Sequence, residues 1–217
     1  MINLKFSPRG KPLKALCLGA HSDDIEIGCG GTVLKLLREY KGIEFDWVVF
    51  SASGKRRREA LASASAFLPE AVRRTTVVKT FRDGYFPYNG GEIKDYFEML
   101  KCQVDPDLIF THYRSDLHQD HRLISELTWN TFRNHLILEY EIPKYDGDLG
   151  TPNVYVHLDE AICQTKIRLL FKFYKSQAMN AWFDRKTFLA IMRLRGIESN
   201  APAKYAESFF GRKMLFS

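Results

Sequence analysis

Short apolar runs alternating with segments of helical spacing are the feature that most restricts how this chain can fold. Ala15 to Ala20 (ALCLGA) ends at a polar loop, and Gly31 to Tyr40 (GTVLKLLREY) then places apolar residues at helical spacing before a Lys-Gly stop. The order repeats with a strand over Glu44 to Phe50, a helix over Arg57 to Phe67 and a strand over Thr76 to Phe81. A helix around Ile93 to Cys102, a strand over Leu108 to His112 and a helix from Gln119 to about Asn134 follow. Parallel neighbours need a crossover, usually a helix, so this alternation predicts an α/β fold: a Rossmann-like three-layer sandwich with a mainly parallel sheet. The last third is less regular, with a strand over Val154 to His157 and helices over Glu160 to Tyr174 and Arg185 to Leu194. No repeat, low-complexity tract or linker divides the chain, so residues 1–217 are expected to form one domain.

Sheets of this kind carry their sites in the loops beyond the carboxyl ends of the strands. Two such loops hold the chemistry-bearing residues. "LGAHSDDIEIGCGG" (Leu18 to Gly31) puts His21, Asp23 and Asp24 directly after the first strand, and "HQDH" puts His118, Asp120 and His121 after the strand ending at His112. Adjacent carboxylates repel each other, which a shared cation would relieve. A catalytic zinc takes three nitrogen or oxygen ligands and keeps an open position, and His21, Asp24 and His121 can supply such a set. Asp23 would then serve as general base, His118 would polarise a carbonyl or protonate a leaving amine, and Asp120 would orient one of the histidines. Nitrogen and oxygen ligands suit zinc and ferrous iron alike.

Composition narrows the partners. No apolar run approaches the length of a membrane span, and the N-terminal MINLKFSPRGKPLK lacks the apolar centre of a secretory signal, so a cytoplasmic location is expected. Cys17, Cys29, Cys102 and Cys163 are scattered without a CxxC pair and read as reduced. A formal net charge of +6 would suit an anionic partner. The charge is dispersed, however, and forms no basic stripe with interleaved aromatics, so nucleic acid is not the expected partner. The one dense basic cluster is GKRRRE, Gly54 to Glu59, which reads as a solvated helix start, the alternative being that Arg56, Arg57 and Arg58 meet a phosphate on the substrate. Oligomeric state stays open, a homo-oligomer being compatible with the sequence.

The motifs "AHSDDIEIGCGGT", "RRREA", "HQDHR", "YKSQ" and "YAESF" occur in the order and at about the spacings of the PIG-L or LmbE-like zinc-dependent N-deacetylases, which the chain resembles from about Lys14 onward. The resemblance implies His21, Asp24 and His121 as metal ligands, Asp23 as base and His118 as the group assisting the tetrahedral intermediate. It also places Arg56, three residues before Glu59, against the substrate. The implied reaction removes an N-acetyl group from an amino sugar or sugar conjugate, whether nucleotide- or lipid-linked. The alternative is an inactive metal-binding or scaffold protein on the same fold. Ser22 and Gln119 stand where the family usually has proline, and the loop "SASG" before Arg56 lacks an acidic residue often found there. The loops Asp83 to Gly91 and Pro143 to Pro152 are expected to rim the pocket, where Tyr85, Phe86 and Tyr88 either stack on a sugar face or simply anchor the loop.

Overall fold

In the computed structural model, residues 3–6 and 10–215 are described; Met1, Ile2, Ser7, Pro8 and Arg9 of the basic leader lie outside them. Seven strands form one sheet in the order β3-β2-β1-β4-β5-β7-β6. They are β1 (Lys14–Gly19), β2 (Glu44–Val49), β3 (Arg73–Val78), β4 (Leu108–His112), β5 (Leu136–Tyr140), β6 (Val154–Leu158) and β7 (Tyr205–Gly211). The first five run parallel, while β7 pairs antiparallel with both β5 and β6. Among the described residues six α-helices flank the sheet: α1 (Asp24–Glu39), α2 (Gly54–Phe67), α3 (Gly90–Gln103), α4 (Gln119–Thr131), α5 (Glu160–Phe173) and α6 (Arg185–Glu198).

The central strands read as continuous apolar runs because both of their faces are buried. Ala15 and Cys17 of β1 point into a core shared with α1, α2, α5 and α6, whereas Leu16 and Leu18 point into a second core under α3 and α4. Chain order reverses between β1, which leads outward to β2 and β3, and β4, which leads to β5. The loops that leave these neighbours therefore diverge to opposite faces and open a crevice at their carboxyl ends. Both histidine- and aspartate-bearing loops enter it.

Several boundaries differ from the sequence expectation. Helix α1 begins at Asp24 rather than Gly31, so the glycines lie inside it. Glycine disfavours helix in isolation, but here close packing decides: a Cβ at Gly28 would sit 2.2 Å from the Tyr140 ring, and one at Gly31 would sit 2.9 Å from Glu207 Oε1. Glu207 takes the Gly31 and Thr32 amides at 2.8 and 2.6 Å, and the buried Lys166 binds both Glu207 and the Ile27 carbonyl at 2.6 Å. The "YAESF" motif thus lies in β7, which periodicity did not reveal, and braces the middle of α1. Strand β5 also went unrecognised, since LILEY follows a helical segment with no Gly or Pro to mark the change. Strand β3 starts at Arg73 instead of Thr76 and stops at Val78, helix α2 starts at Gly54, and α4 stops at Thr131. As an edge strand β3 tolerates its charged and threonine-rich start. No helix among the described residues is long and apolar enough to cross a membrane.

Candidate active site

The turn after β1 is shaped by its own side chains. Asp24 Oδ2 accepts the His21 amide at 2.6 Å, and the Tyr174 hydroxyl of "YKSQ" holds the Ser22 carbonyl at 2.6 Å from below. At α4, His118 is the N-cap, its Nδ1 accepting the Asp120 amide at 3.2 Å. These two turns bring His21, Asp24 and His121 together, each buried, with one ligand-type atom from each lying within 4.8 Å of the others. His21 Nδ1 is 3.2 Å from His121 Nε2, and Asp24 Oδ2 is 3.5 and 3.6 Å from those nitrogens.

The far nitrogen of each ring is already committed. His21 Nε2 lies 3.1 Å from both Asp120 Oδ2 and Asp83 Oδ1, and His121 Nδ1 lies 2.9 Å from Asp116 Oδ2. Donation to these carboxylates leaves lone pairs on the near nitrogens, facing each other and a carboxylate oxygen. Three converging acceptors repel unless a cation sits among them. Burial alone would lower His21, but its hydrogen bonds to Asp120 and Asp24 prevail and raise it well above the ordinary histidine range. His121 behaves oppositely, pushed down to about 4 by burial and then by His112. A proton on His21 therefore stands in for the positive charge the cluster demands, and the donor set fits a zinc or ferrous ion that would displace it.

Asp23 lies beside this cluster. Burial, then the Asp24 charge, push its carboxyl up to about 6, and Oδ2 is buried without a hydrogen-bond partner. Its Oδ1 is 3.4 Å from the Ser22 hydroxyl and 3.7 Å from Arg56. His118 lines the cleft and is lowered, by burial first and then by His21, so its ring is neutral near pH 7. With Nδ1 accepting, the proton resides on Nε2, a donor. Asp120, fully buried, also accepts the Gly84 and Phe86 amides at 2.7 and 3.0 Å, tying the loop after β3 to His21.

The cleft has a volume of ≈ 300 Å³. Arg56 enters it, donating to Ser22 Oγ at 3.2 Å and Asp83 Oδ2 at 2.9 Å. Its two basic neighbours do not: Arg57 turns back to the Val78 carbonyl and Arg58 is exposed on α2. The basic run therefore makes no phosphate-binding triplet. Glu59 is likewise spent on structure, accepting the Ser176 amide and hydroxyl at 3.1 and 2.5 Å. The structure places Tyr85 outside the cleft, with the Arg82 guanidinium 3.5 Å above its ring, and Phe86 is fully buried, so neither presents a face to a ligand there. Tyr88 also lies off the cleft.

Sequence reasoning missed Asp116, His112 and Lys144. Asp116 Oδ1 accepts the His118 amide at 2.8 Å while Oδ2 holds His121 and lies 3.0 Å from Lys144 Nζ. Its position five residues before His121, inside the same loop, was the available signal. His112 closes β4, stacks on His121 with ring centroids 3.9 Å apart, and has Nε2 3.2 Å from Asp24 Oδ2. Lys144 comes from the loop after β5, whose strand was not foreseen.

A family model described as PIG-L, GlcNAc-PI de-N-acetylase, matches residues 16–132, more than half of the chain and all of both site loops. The chain belongs to the PIG-L family. Solved structures extend the likeness of fold over nearly the full length of this PIG-L protein. A conserved protein of Thermus thermophilus superposes with a TM-score of 0.72 at 17% identity, covering 94% of this chain and 97% of that one. The N,N'-diacetylchitobiose deacetylase of Pyrococcus horikoshii gives 0.69 at 21% identity over 92% and 83% of the two chains. The 4-carboxy-2-hydroxymuconate hydratase GalB of Pseudomonas putida gives 0.72 at 14% identity over 94% and 98%. Since a hydratase shares the PIG-L fold, the activity has to be argued from the site.

Proposed function

We propose that this PIG-L protein is a metal-dependent N-deacetylase that hydrolyses the acetamide of an amino sugar or sugar conjugate, releasing acetate and a free amine. The observation that carries this reading is the convergence of the His21, Asp24 and His121 ligand atoms beside an unpartnered buried oxygen of Asp23. Family membership and the diacetylchitobiose deacetylase fold support it.

His21, Asp24 and His121 would hold zinc or ferrous iron, which when bound supplies Lewis-acid polarisation and lowers the pKa of water from about 15.7 toward 7. Asp23 Oδ2, buried beside the cluster without a hydrogen-bond partner, takes a proton from the attacking water. His118 donates Nε2–H to the acetyl oxygen as it gains negative charge, and loss of such a donor costs about 10² to 10³ in rate. Asp116 and Asp120 keep His121 and His21 in the tautomers the site needs. The proton held by Asp23 then passes to the departing nitrogen, which leaves as the amine.

The test is acetate release by the metal-loaded protein across a panel of N-acetylated sugars and conjugates. Release from none of them, with metal bound at one equivalent, would favour the inactive binding protein instead.

A further inference from the structure

A second cavity, of ≈ 580 Å³, is built on the loop after β3 and shares no lining residue with the catalytic cleft. Its size falls within the range of about 300 to 1,000 Å³ usual for small-molecule sites. Lys79, Arg82, Tyr85, Tyr88, Asn89 and Glu92 supply its chemistry. Two of these are cations without an anion. Among the described residues neither Lys79 nor Arg82 has a side-chain hydrogen bond or an ion pair, and each rests on an aromatic ring instead: Lys79 Nζ lies 4.3 Å from the Tyr96 centroid, and the Arg82 guanidinium carbon 3.5 Å from that of Tyr85. A guanidinium so close to a ring face lies nearly flat on it, which leaves its N–H edge free. That planar fork suits a phosphate through two parallel hydrogen bonds. Like charges lining one cavity repel, and Glu92, the one carboxylate in the lining, pairs with neither cation. A dianion entering the cavity would relieve that repulsion.

The loop also presents a flat surface. Tyr88 is 82% exposed, and its ring centroid lies 5.9 Å from that of Tyr85. The segment that carries it is held from behind. Gly84 and Phe86 donate their amides to Asp120, Gln119 donates Nε2–H to the Gly84 carbonyl at 3.0 Å, and the Phe86 side chain is fully buried. The Tyr88 and Asn89 amides then close a tight turn on the Tyr85 carbonyl at 3.0 and 3.2 Å. Tyr88 is thus exposed on hydrogen-bonded backbone, where little is left for a ligand to order. The Asn89 side chain, without a partner among the described residues, offers a donor and an acceptor in the same cavity.

We infer that this cavity is a binding site for a nucleoside monophosphate, separate from the catalytic cleft: Arg82 and Lys79 take the phosphate, Tyr88 stacks on the base and Asn89 meets its hydrogen-bonding edge. The juxtaposition of unneutralised cations and a held, exposed aromatic ring carries the assignment. A bare anion would leave Tyr88 unused, and an uncharged ring would leave both cations unanswered.

Calorimetric titration of the full chain with adenosine monophosphate tests this, with adenosine and inorganic phosphate as partial ligands. The nucleotide should bind about tenfold or more tightly than either part, and less tightly as salt is raised. Its affinity should agree within about threefold between metal-loaded and chelator-stripped protein, since the two cavities share no residue. Arg82→Gln should weaken the nucleotide about tenfold. Tyr88→Ala should weaken it about fivefold to a hundredfold while leaving phosphate binding unchanged. Both positions are exposed, so folding is not at stake. Glu92→Gln, which takes the carboxylate out of the cavity, should tighten the nucleotide about threefold. Phosphate bound as tightly as the nucleotide would overturn the base-stacking assignment. Nucleotide binding that vanishes with the metal would put the phosphate in the catalytic cleft and overturn the second site. So would no binding at all, or an affinity untouched by Arg82→Gln and Tyr88→Ala.

Discussion

Replacing Asp116 by asparagine probes whether His121 is held in a metal-binding tautomer. The carboxylate accepts three donors: His121 Nδ1 at 2.9 Å and Lys144 Nζ at 3.0 Å on Oδ2, and the His118 amide at 2.8 Å on Oδ1. An asparagine has one acceptor and one donor group in their place. If its oxygen faces His121, its NH₂ opposes the His118 N–H, leaving a buried donor unmet at a cost of about 1 to 3 kcal/mol. If it flips, its NH₂ faces His121 Nδ1, which must become the acceptor, and the proton moves to Nε2, the nitrogen directed at Asp24 and His21. Either arrangement weakens metal binding, by about 10- to 100-fold, or roughly 1.4 to 2.7 kcal/mol. Zinc affinity would be measured by competition against a chromophoric chelator, with the exposed Asp95→Asn as control. The metal-free melting temperature would be recorded beside it to separate folding from binding. An Asp116→Asn protein that binds zinc within threefold of the parent would refute the reasoning.

Other expectations follow from the same geometry. Asp23→Asn should keep its metal yet lose acetate release by about 10² to 10⁴, and normal release from that variant would remove Asp23 from the proton transfer. Because His21 is raised above the usual histidine value in the metal-free protein, the ion must displace a proton. Metal affinity should therefore fall as pH is lowered through that raised pKa, and calorimetry in buffers of different ionisation enthalpy should register proton release; zero release would count against the cluster. Arg195→Met would strand the buried Glu141, which Arg195 grips at 2.7 and 2.8 Å, at a cost of about 3 to 5 kcal/mol by denaturant titration. Gly28→Ala would drive a methyl into Tyr140, whose hydroxyl binds the Leu18 carbonyl, and should cost about 1 to 3 kcal/mol, seen as a lower denaturation midpoint.

The α/β order of the first four strands was legible in the chain alone, because buried parallel strands and amphipathic helices leave different periodicities in it. So were the side chains able to carry the chemistry, since His21, Asp23, Asp24, His118 and His121 are distinctive in type and in place after a strand. Contacts between distant segments left no such local trace. That His21 would be served by Asp120 depended on how two loops meet above β1 and β4, whereas Asp116 reaches His121 from within the same loop. The start of α1 at Asp24 went against the low helix propensity of its glycines, because Tyr140 and Glu207 reward the missing side chains. Tyr85 and the arginines after Gly54 looked available for a ligand by composition alone. Packing turned Tyr85 and Arg57 away and tied Arg56 to Asp83, while Tyr145 and Asp146, in the Pro143 to Pro152 loop expected at the rim, line the cleft together with Trp182. Residue type is local and legible, whereas the face a side chain ends up on is set by partners that stand anywhere from three residues away, as Arg82 does from Tyr85, to more than a hundred, as Glu207 does from Gly31.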